Sequence, residues 1–544
     1  MLFNSFIFLT LFLPIALTLY YLAGARSPRL AAFWLCLASL VFYGAWAPAF
    51  IGLLALSIAF NYGMSRAILA SAPGSRSARI WLITAICVDL AVLVRYKYWA
   101  AMAGAWVQWC GLSQQGWLAQ HASSVVLPLG VSFFTFTQIG YLLDCRARIV
   151  KQSDALGFVQ FVTFFPHLIA GPILHHKEMM TQFAQAQTYQ LRAQNISIGA
   201  SVFAIGLAKK LLLADPIAAY ADAGFAAPAA LDGWAAWGTA LAYALQLYFD
   251  FSGYSDMAVG LAKLFGIRFP LNFNSPFKAT SIIDFWQRWH ITLTRYLTAY
   301  LYYPLSMRIN RRRAQRGRPI GRAAQRSPMG FAATVAVPTF YTMGLAGIWH
   351  GAGLQYLIYG LLHAGYLTVN HAWRNWRHSR HADDGRAAAR PFDTAAAKVR
   401  SHAWRVASVL ITFVAALVAF VFFRARGVGD ALAMLEGMAG LRGFAPPAWP
   451  SIDDGGGLWG WLRLALGRSM PAPHLALLLA IAWFLPNSHE WMGRFSPALE
   501  RAADTVAPRW RWSPSWRWTA TIVLVLLVCA AQLHGETRFL YFQF

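Results

Sequence analysis

Charged residues are scarce in this chain. Of its 544 residues only 12% are charged, against 58% hydrophobic, and the mean hydropathy is +0.45. A soluble globular domain carries about 25% charge, so the composition excludes that class and points to an integral membrane protein. Acidic residues are scarcer still, 21 against 46 basic, which leaves a formal net charge of +25. The five cysteines, Cys36, Cys87, Cys110, Cys145 and Cys529, form no CxxC pair and show no ligand-like spacing. Three of them lie in apolar runs, which fits core positions better than a metal or redox site. There is no HExxH, no GxxxxGK[ST] and no GxGxxG following a strand. No metal, no nucleotide hydrolysis and no bound cofactor is therefore expected.

What the chain has in abundance is apolar runs long enough to cross a hydrocarbon layer of ~30 Å as helices. They cover 3–24, 30–47, 49–70, 79–94, 197–213, 234–250, 331–349, 352–372, 404–423 and 519–534. Runs broken by proline or glycine lie near 125–143, 156–174 and 474–486. Broken segments leave backbone groups that lipid cannot satisfy, so they are expected inside the protein or along a cavity. The first run lacks a basic leader and is too long for a signal-peptide core, so it is read as a retained helix. There is no fixed-period repeat and no soluble domain boundary, and 1–544 reads as one polytopic domain. The Ala-rich, charged stretch 381–398 reads as a mobile cytoplasmic loop, and 441–461, with Asp453 and Asp454, as an outer loop.

The basic residues are placed rather than spread. Eight arginines fall in 307–326, and no acidic residue occurs between Asp284 and Asp383. A second basic stretch runs from 374–381 to 398–405, with two apolar runs between the two. By the positive-inside rule both stretches are cytoplasmic and the runs between them form an outward hairpin. Arg26 and Arg29 after the first run, and the basic 509–518 before the last, place both termini on the outer side. No basic face is interleaved with aromatics in a soluble module, so nucleic acid is not an expected partner and the lipid bilayer is.

Polar residues concentrate at the centre. "LQLYFDFSGYSDMAVGLAKLFGI" (245–267) puts Asp250, Ser252, Tyr254, Ser255 and Asp256 beside a run that otherwise spans. Such groups either fix helix packing through hydrogen bonds or face an interior cavity. Next comes "RFPLNFNSPFKATSIIDFWQRWHITLTRYL" (268–297), where Pro270 and Pro276 break the helix and helical spacing resumes at Asp284. His290 and His350 each follow a tryptophan and each sits where polar or broken chain turns into an apolar helix. A membrane histidine serves either as an interhelical hydrogen-bond partner or as a catalyst. Gly344, Gly347, Gly351 and Gly353 around His350 allow close backbone approach, as a narrow passage or tight packing requires.

These residues resemble a known family. "DFWQRWHITLTRYL", "MGLAGIWHGAG" and "YGLLHAG" are similar to the central signature of the membrane-bound O-acyltransferases, in their bacterial polysaccharide-modifying branch. "LPLGVSFFTFTQIGYLLD", "FVTFFPHLIAGPI", "LNFNSPF" and "FVFFRA" extend the likeness over most of the chain from about residue 95. The arginine-rich insertion, and His175 where an arginine is expected, depart from it. The resemblance implies an all-α polytopic fold, a ring of some eleven to thirteen transmembrane helices with re-entrant helices around a central funnel. The catalytic core is placed at about 125–375, with a C-terminal helix and aromatic tail at 519–544.

It also implies the chemistry. A cytosolic thioester, acetyl-CoA or another carrier-bound acyl group, is the donor, and an outer hydroxyl on a secreted or cell-surface polysaccharide is the acceptor. His350 is the expected general base, since neutral imidazole titrates near working pH. His290 is expected as a second tunnel group, and Trp289, Trp349, Asp284, Asn272, Asn274, Ser255 and Gly351 as tunnel lining. The expected location is a bacterial inner membrane, and the expected partners are a periplasmic SGNH-type acetyltransferase and the polysaccharide synthesis machinery. D-alanylation of teichoic acid and O-acetylation of peptidoglycan are the alternatives within the class. A transporter or flippase, which also shows broken helices and intramembrane polar groups, is the alternative outside it. The ending "RFLYFQF" has two readings. Its rings form an interfacial aromatic belt, or, by resemblance to an accessory protein of the D-alanylation system, Tyr541 is a first acyl acceptor.

Overall fold

The computed structural model describes residues 1–111, 125–151, 154–383, 395–445, 471–500, 506–533 and 539–540, apart from the side chains of 378–400 and 471. All regular structure among them is helical. Together with the apolar composition this makes the chain an all-α polytopic membrane protein. Among the described residues six helical stretches are long and apolar enough to cross a membrane, 8–26, 48–70, 76–109, 193–226, 328–350 and 401–424, and three shorter apolar helices join them. Gly233–Leu264 and Leu354–Asp383 are as long but more polar. The expected run 156–174 is indeed broken: Ala155–Thr163 ends at Phe164, and a single turn, Phe165–Leu168, follows around Pro166. Residues 384–394, most of the expected cytoplasmic loop, and 446–470 of the expected outer loop lie outside the described residues.

Packing divides the chain into two compact units. The first comprises Met1–Leu212, Asp250–Asn272 and Pro486–Phe544, and the second Leu213–Phe249 and Phe273–Leu485. In the first unit Phe3, Phe8, Phe12, Phe42 and Phe165 pack ring against ring at centroid separations of 5.2 to 6.4 Å. These are ordinary offset and edge-on contacts. Ala193–Ala208 crosses the second half of Gly233–Leu264 at two glycine pairs. A Cβ on Gly199 would stand 2.8 Å from the Gly260 carbonyl oxygen, and one on Gly206 2.6 Å from that of Gly253. Only glycine allows this approach, the usual means of bringing helices together where no hydrophobic effect drives them.

The second unit is built on a hairpin of Val337–His350 and Leu354–Asp383. Gly347 lies against the Gly360 backbone, so that neither position has room for a side chain. Ala395–Arg424 packs on Leu354–Asp383 and carries a row of phenylalanines: Phe413 meets Phe277 and Phe420 meets Trp289 in the segment of the first tryptophan-histidine pair, while Phe423 meets His350 of the second.

Candidate functional site

The short helix Ile282–Trp286 starts because Ser281 accepts the Asp284 backbone N–H at 3.1 Å, a side-chain N-cap. Asp284 then organises the turn around it. One carboxylate oxygen accepts the Thr280 N–H at 3.0 Å, and the other lies 2.6 Å from Arg288 Nε. Arg288 Nη1 in turn donates to the Asn274 carbonyl at 3.3 Å, while the Asn274 N–H donates to the Arg288 carbonyl at 2.9 Å. Asn274 thus serves the site through its backbone. The structure places Asp284, half-buried, as the tie that folds this segment.

The tie delivers Trp289 and His290 into the interior, where they are 5% and 1% exposed. His290 stands at φ 43°, ψ 53° as the residue before Ile291–Leu297. A left-handed backbone at a residue other than glycine costs roughly 1–2 kcal/mol. It is held there by the surrounding packing, and such outliers gather at functional sites.

His350 is the last residue of Val337–His350 and is 5% exposed. The helix stops there because Gly351 is extended, and the Tyr356 ring lies where a Gly351 side chain would begin. Around His350 stand Trp349 at 4.8 Å, Phe423 at 5.0 Å and Tyr359 at 5.8 Å between ring centroids. Trp289 packs on Phe420 at 5.2 Å. Phe420 and Phe423 are three residues apart on one helix, hence one turn apart on one face. The two tryptophan-histidine pairs, sixty residues apart in sequence, therefore meet the same face of Ala395–Arg424.

Sequence reasoning did not single out His363, although "YGLLHAG" contains it. It is fully buried, accepts the Trp286 indole N–H on Nδ1 at 3.2 Å, and packs on Tyr359 at 4.8 Å, the ring that also touches His350. A histidine followed by small residues, one helix after another histidine, was the available signal.

In the first unit Ser255 and Asn272 find each other: the Asn272 amide donates to the Ser255 hydroxyl at 3.0 Å. The polar residues around them are paired by two lysines that sequence reasoning had counted into an apolar run. Lys209 Nζ lies 2.7 Å from Asp256, which also receives Ser488 Oγ at 2.7 Å and His489 Nε2 at 3.1 Å. Lys210 Nζ lies 2.7 Å from Asp250. Consecutive residues of an α-helix diverge by about 100°. Here the wider π turn Lys209–Ala214 lets both reach one neighbouring helix. Asp250, Ser252, Tyr254, Ser255 and Asp256 are all buried.

His175 Nε2 and His176 Nδ1 each stand 2.9 Å from one oxygen of Asp144, near enough together to hold a cation. The His175 Nδ1 accepts the Lys177 backbone N–H at 3.3 Å, however, so the ring proton is on Nε2 and points at the carboxylate. That tautomer opposes metal ligation through Nε2. Tyr541 lies outside the described residues.

The model of the membrane-bound O-acyltransferase family matches residues 80–316, a stretch that includes His290 and ends before His350. Peptidoglycan O-acetyltransferase of Helicobacter pylori is 37% identical over 471 residues, 81% of this chain and 80% of the relative. The Pseudomonas aeruginosa protein named "Probable alginate O-acetylase AlgI" is 37% identical over 439 residues, 80% of this chain and 75% of the relative. Teichoic acid D-alanyltransferase of Bacillus subtilis is 29% identical over 252 residues, 46% of this chain and 60% of the relative. The chain belongs to the membrane-bound O-acyltransferase family and is an acyltransferase.

Proposed function

We propose that this member of the membrane-bound O-acyltransferase family takes an acyl group, an acetyl, from a cytosolic thioester and passes it through the inner membrane for O-acetylation of a secreted or cell-surface polysaccharide. The observation that carries the reading is the setting of His350, a buried imidazole ending a helix among Trp349, Tyr359 and Phe423. An acceptor oxygen attacks the thioester carbonyl, the C–O bond forms and the C–S bond breaks. The acceptor proton goes to the imidazole and from there to the departing thiolate. A helix C-terminus favours positive charge, by up to ~2 kcal/mol where partly buried, and so favours the transient imidazolium. His290 positions the donor or polarises its carbonyl. The donor is acetyl-CoA or an acylated carrier.

The first acceptor in this reading is the phenol of Tyr541. A phenol's reference pKa of about 10 lies near a thiol's of about 8.5, so a tyrosyl ester retains much of the thioester's transfer potential. A periplasmic SGNH-type transferase then carries the acyl group to the polymer, with the polysaccharide synthesis machinery as neighbour and both chain termini on the periplasmic side. O-acetylation of peptidoglycan is the second reading, favoured by the similarity to the Helicobacter pylori protein.

The experiment is His350→Gln in intact cells, with acylation of the extracellular glycan and of peptidoglycan measured separately. Loss of O-acetyl from one polymer with the protein still in the membrane supports the base and names the acceptor. Undiminished acylation of both removes His350 from the role. Tyr541→Phe keeps the ring and deletes the hydroxyl, so normal acylation in that variant eliminates the relay.

A further inference from the structure

A cleft of about 420 Å³ is cut into the first unit, and none of its lining residues belongs to a tryptophan-histidine pair. Its walls are the helix His176–Phe183 with the turn after it, the start of Ala193–Ala208, and residues 263–268 at the end of Gly233–Leu264. Main-chain bonds tie these walls together. Gln182 grips Arg268 at both backbone atoms, donating from Nε2 to its carbonyl and accepting its N–H on Oε1, each at 2.9 Å. Thr188 Oγ1 donates to the Gln182 carbonyl at 2.6 Å. Gly266 has φ +78°, and a Cβ there would stand 2.5 Å from the Thr188 carbonyl oxygen, so the turn closes only on glycine. The cleft is therefore preformed. Tyr20 of Leu13–Arg26 donates its hydroxyl to the Phe265 carbonyl at 3.1 Å, and Gly24 lies against the Tyr189 carbonyl. This is the end of the first helix that carries Arg26, the cytoplasmic end by the positive-inside rule.

Three cations line the cleft, Lys263, which is half-buried, and Arg192 and Arg268, which are exposed. The two guanidinium groups are close enough to repel the Lys263 ammonium. Among the described residues none of the three is paired with a carboxylate, and Glu178 is the one acidic residue among those lining the cleft. Three positive charges against one negative leave an excess of two.

We propose that this cleft binds a phosphate-bearing anion at the cytoplasmic surface of the membrane, held by Lys263, Arg192 and Arg268. A phospholipid headgroup and a soluble phosphate ester present the same group. The side of the membrane rests on the orientation proposed above; the binding does not.

Basic residues spread over a cytoplasmic face need no ligand, because water solvates each of them separately. Convergence on one cleft is different. Like charges held together on fixed walls repel one another, a cleft of one sign focuses its field, and an entering anion relieves the repulsion. The residue types also suit phosphate: an arginine fork matches two of its oxygens, and a lysine adds a compact point charge. The first turn of Ala193–Ala208 has no side-chain cap and lies on the same wall through Arg192 and Asn195, which adds the positive end of a helix dipole. Gln185 and Gln187, uncharged and exposed, remain for the group that the phosphate carries.

The test uses the full-length enzyme purified in detergent and stripped of lipid. In one arm, native mass spectrometry counts the lipid bound from an equal mixture of phosphatidylglycerol and phosphatidylcholine, which share the phosphate and differ in net charge. In the other, inorganic pyrophosphate is added at constant ionic strength and binding is followed by the rise in unfolding temperature. Wild-type protein is expected to bind phosphatidylglycerol in preference to phosphatidylcholine, or pyrophosphate, or both, and the arm that responds names the source. The double variant Lys263→Gln, Arg268→Gln is expected to weaken that binding about tenfold or more, the loss of two charge-assisted contacts. Arg192→Gln, at an exposed position, is expected to weaken it likewise and covers the case in which the double variant does not fold. Binding in neither arm overturns the proposal. So does undiminished binding in the folded double variant or, where that does not fold, in Arg192→Gln.

Discussion

The indole N–H of Trp286 donates to Nδ1 of His363 across 3.2 Å, with both side chains buried. The bond fixes the neutral tautomer of His363 with its proton on Nε2, and it locks the short helix of the first tryptophan-histidine segment onto Leu354–Asp383, the helix that follows His350. His363 is thereby a fixed element under Tyr359, the ring shared with His350.

Trp286→Phe keeps the ring and removes the donor, leaving a buried acceptor without that partner. The cost is about 1–3 kcal/mol. The expected outcome is a lower unfolding temperature in detergent and reduced, not abolished, acylation. Wild-type stability in this variant would show that the bond does not hold the segment.

Asp284 reads as a fold-organising carboxylate, with one oxygen on Thr280 N–H and one on Arg288. Asp284→Asn is therefore expected to lower stability by ~1–2 kcal/mol, the loss of one charge-assisted bond, with the KM for the thioester unchanged. A raised KM at unchanged stability would instead place Asp284 in contact with substrate, the role expected from the resemblance.

Gly351 has φ −170°, which any residue adopts, so its requirement for glycine is steric: the Tyr356 ring covers it. Gly351→Ala is expected to displace the end of the helix at His350 and cut acylation at least tenfold. Adding Tyr356→Ala to it should recover activity. If the double variant is as inactive as the single one, the collision is not the cause.

The arginine-rich segment is helical over Tyr303–Gln315, with Ala314 exposed. Cytoplasmic placement lets its arginines lie on anionic headgroups, at about 1 kcal/mol per basic residue near the surface. A cysteine at Ala314 is expected to resist membrane-impermeant thiol reagents in intact cells and to react after permeabilisation. Labelling in intact cells would reverse the orientation of the hairpin that turns after His350.

Much of this was legible along the chain. Hydropathy located the apolar helices and prolines their breaks, as at Pro166 and Pro276, because both act within a few residues. The tryptophan-histidine pairs stood out for the same reason, being polar exceptions in apolar surroundings. Lys209 and Lys210 were not legible: they lie inside the apolar run 197–213, and nothing local says that a π turn directs both at one helix.

The sequence by itself determined the solvent, the helical class, the breaks and the histidines that have no business in lipid, since each is a property of a short window of residue types. Only the tertiary structure decided the partners: that Phe420 and Phe423 carry both tryptophan-histidine segments on one face, and that Asp250 joins Lys210, 40 residues before it, to Leu540, 290 residues after it. The reason is that a helix fixes its own side chains by period, whereas which helices meet depends on where they can approach. Here that is where Gly199 faces Gly260 and Gly206 faces Gly253. Buried charges must then find one another across that contact, because nothing else near them solvates a charge.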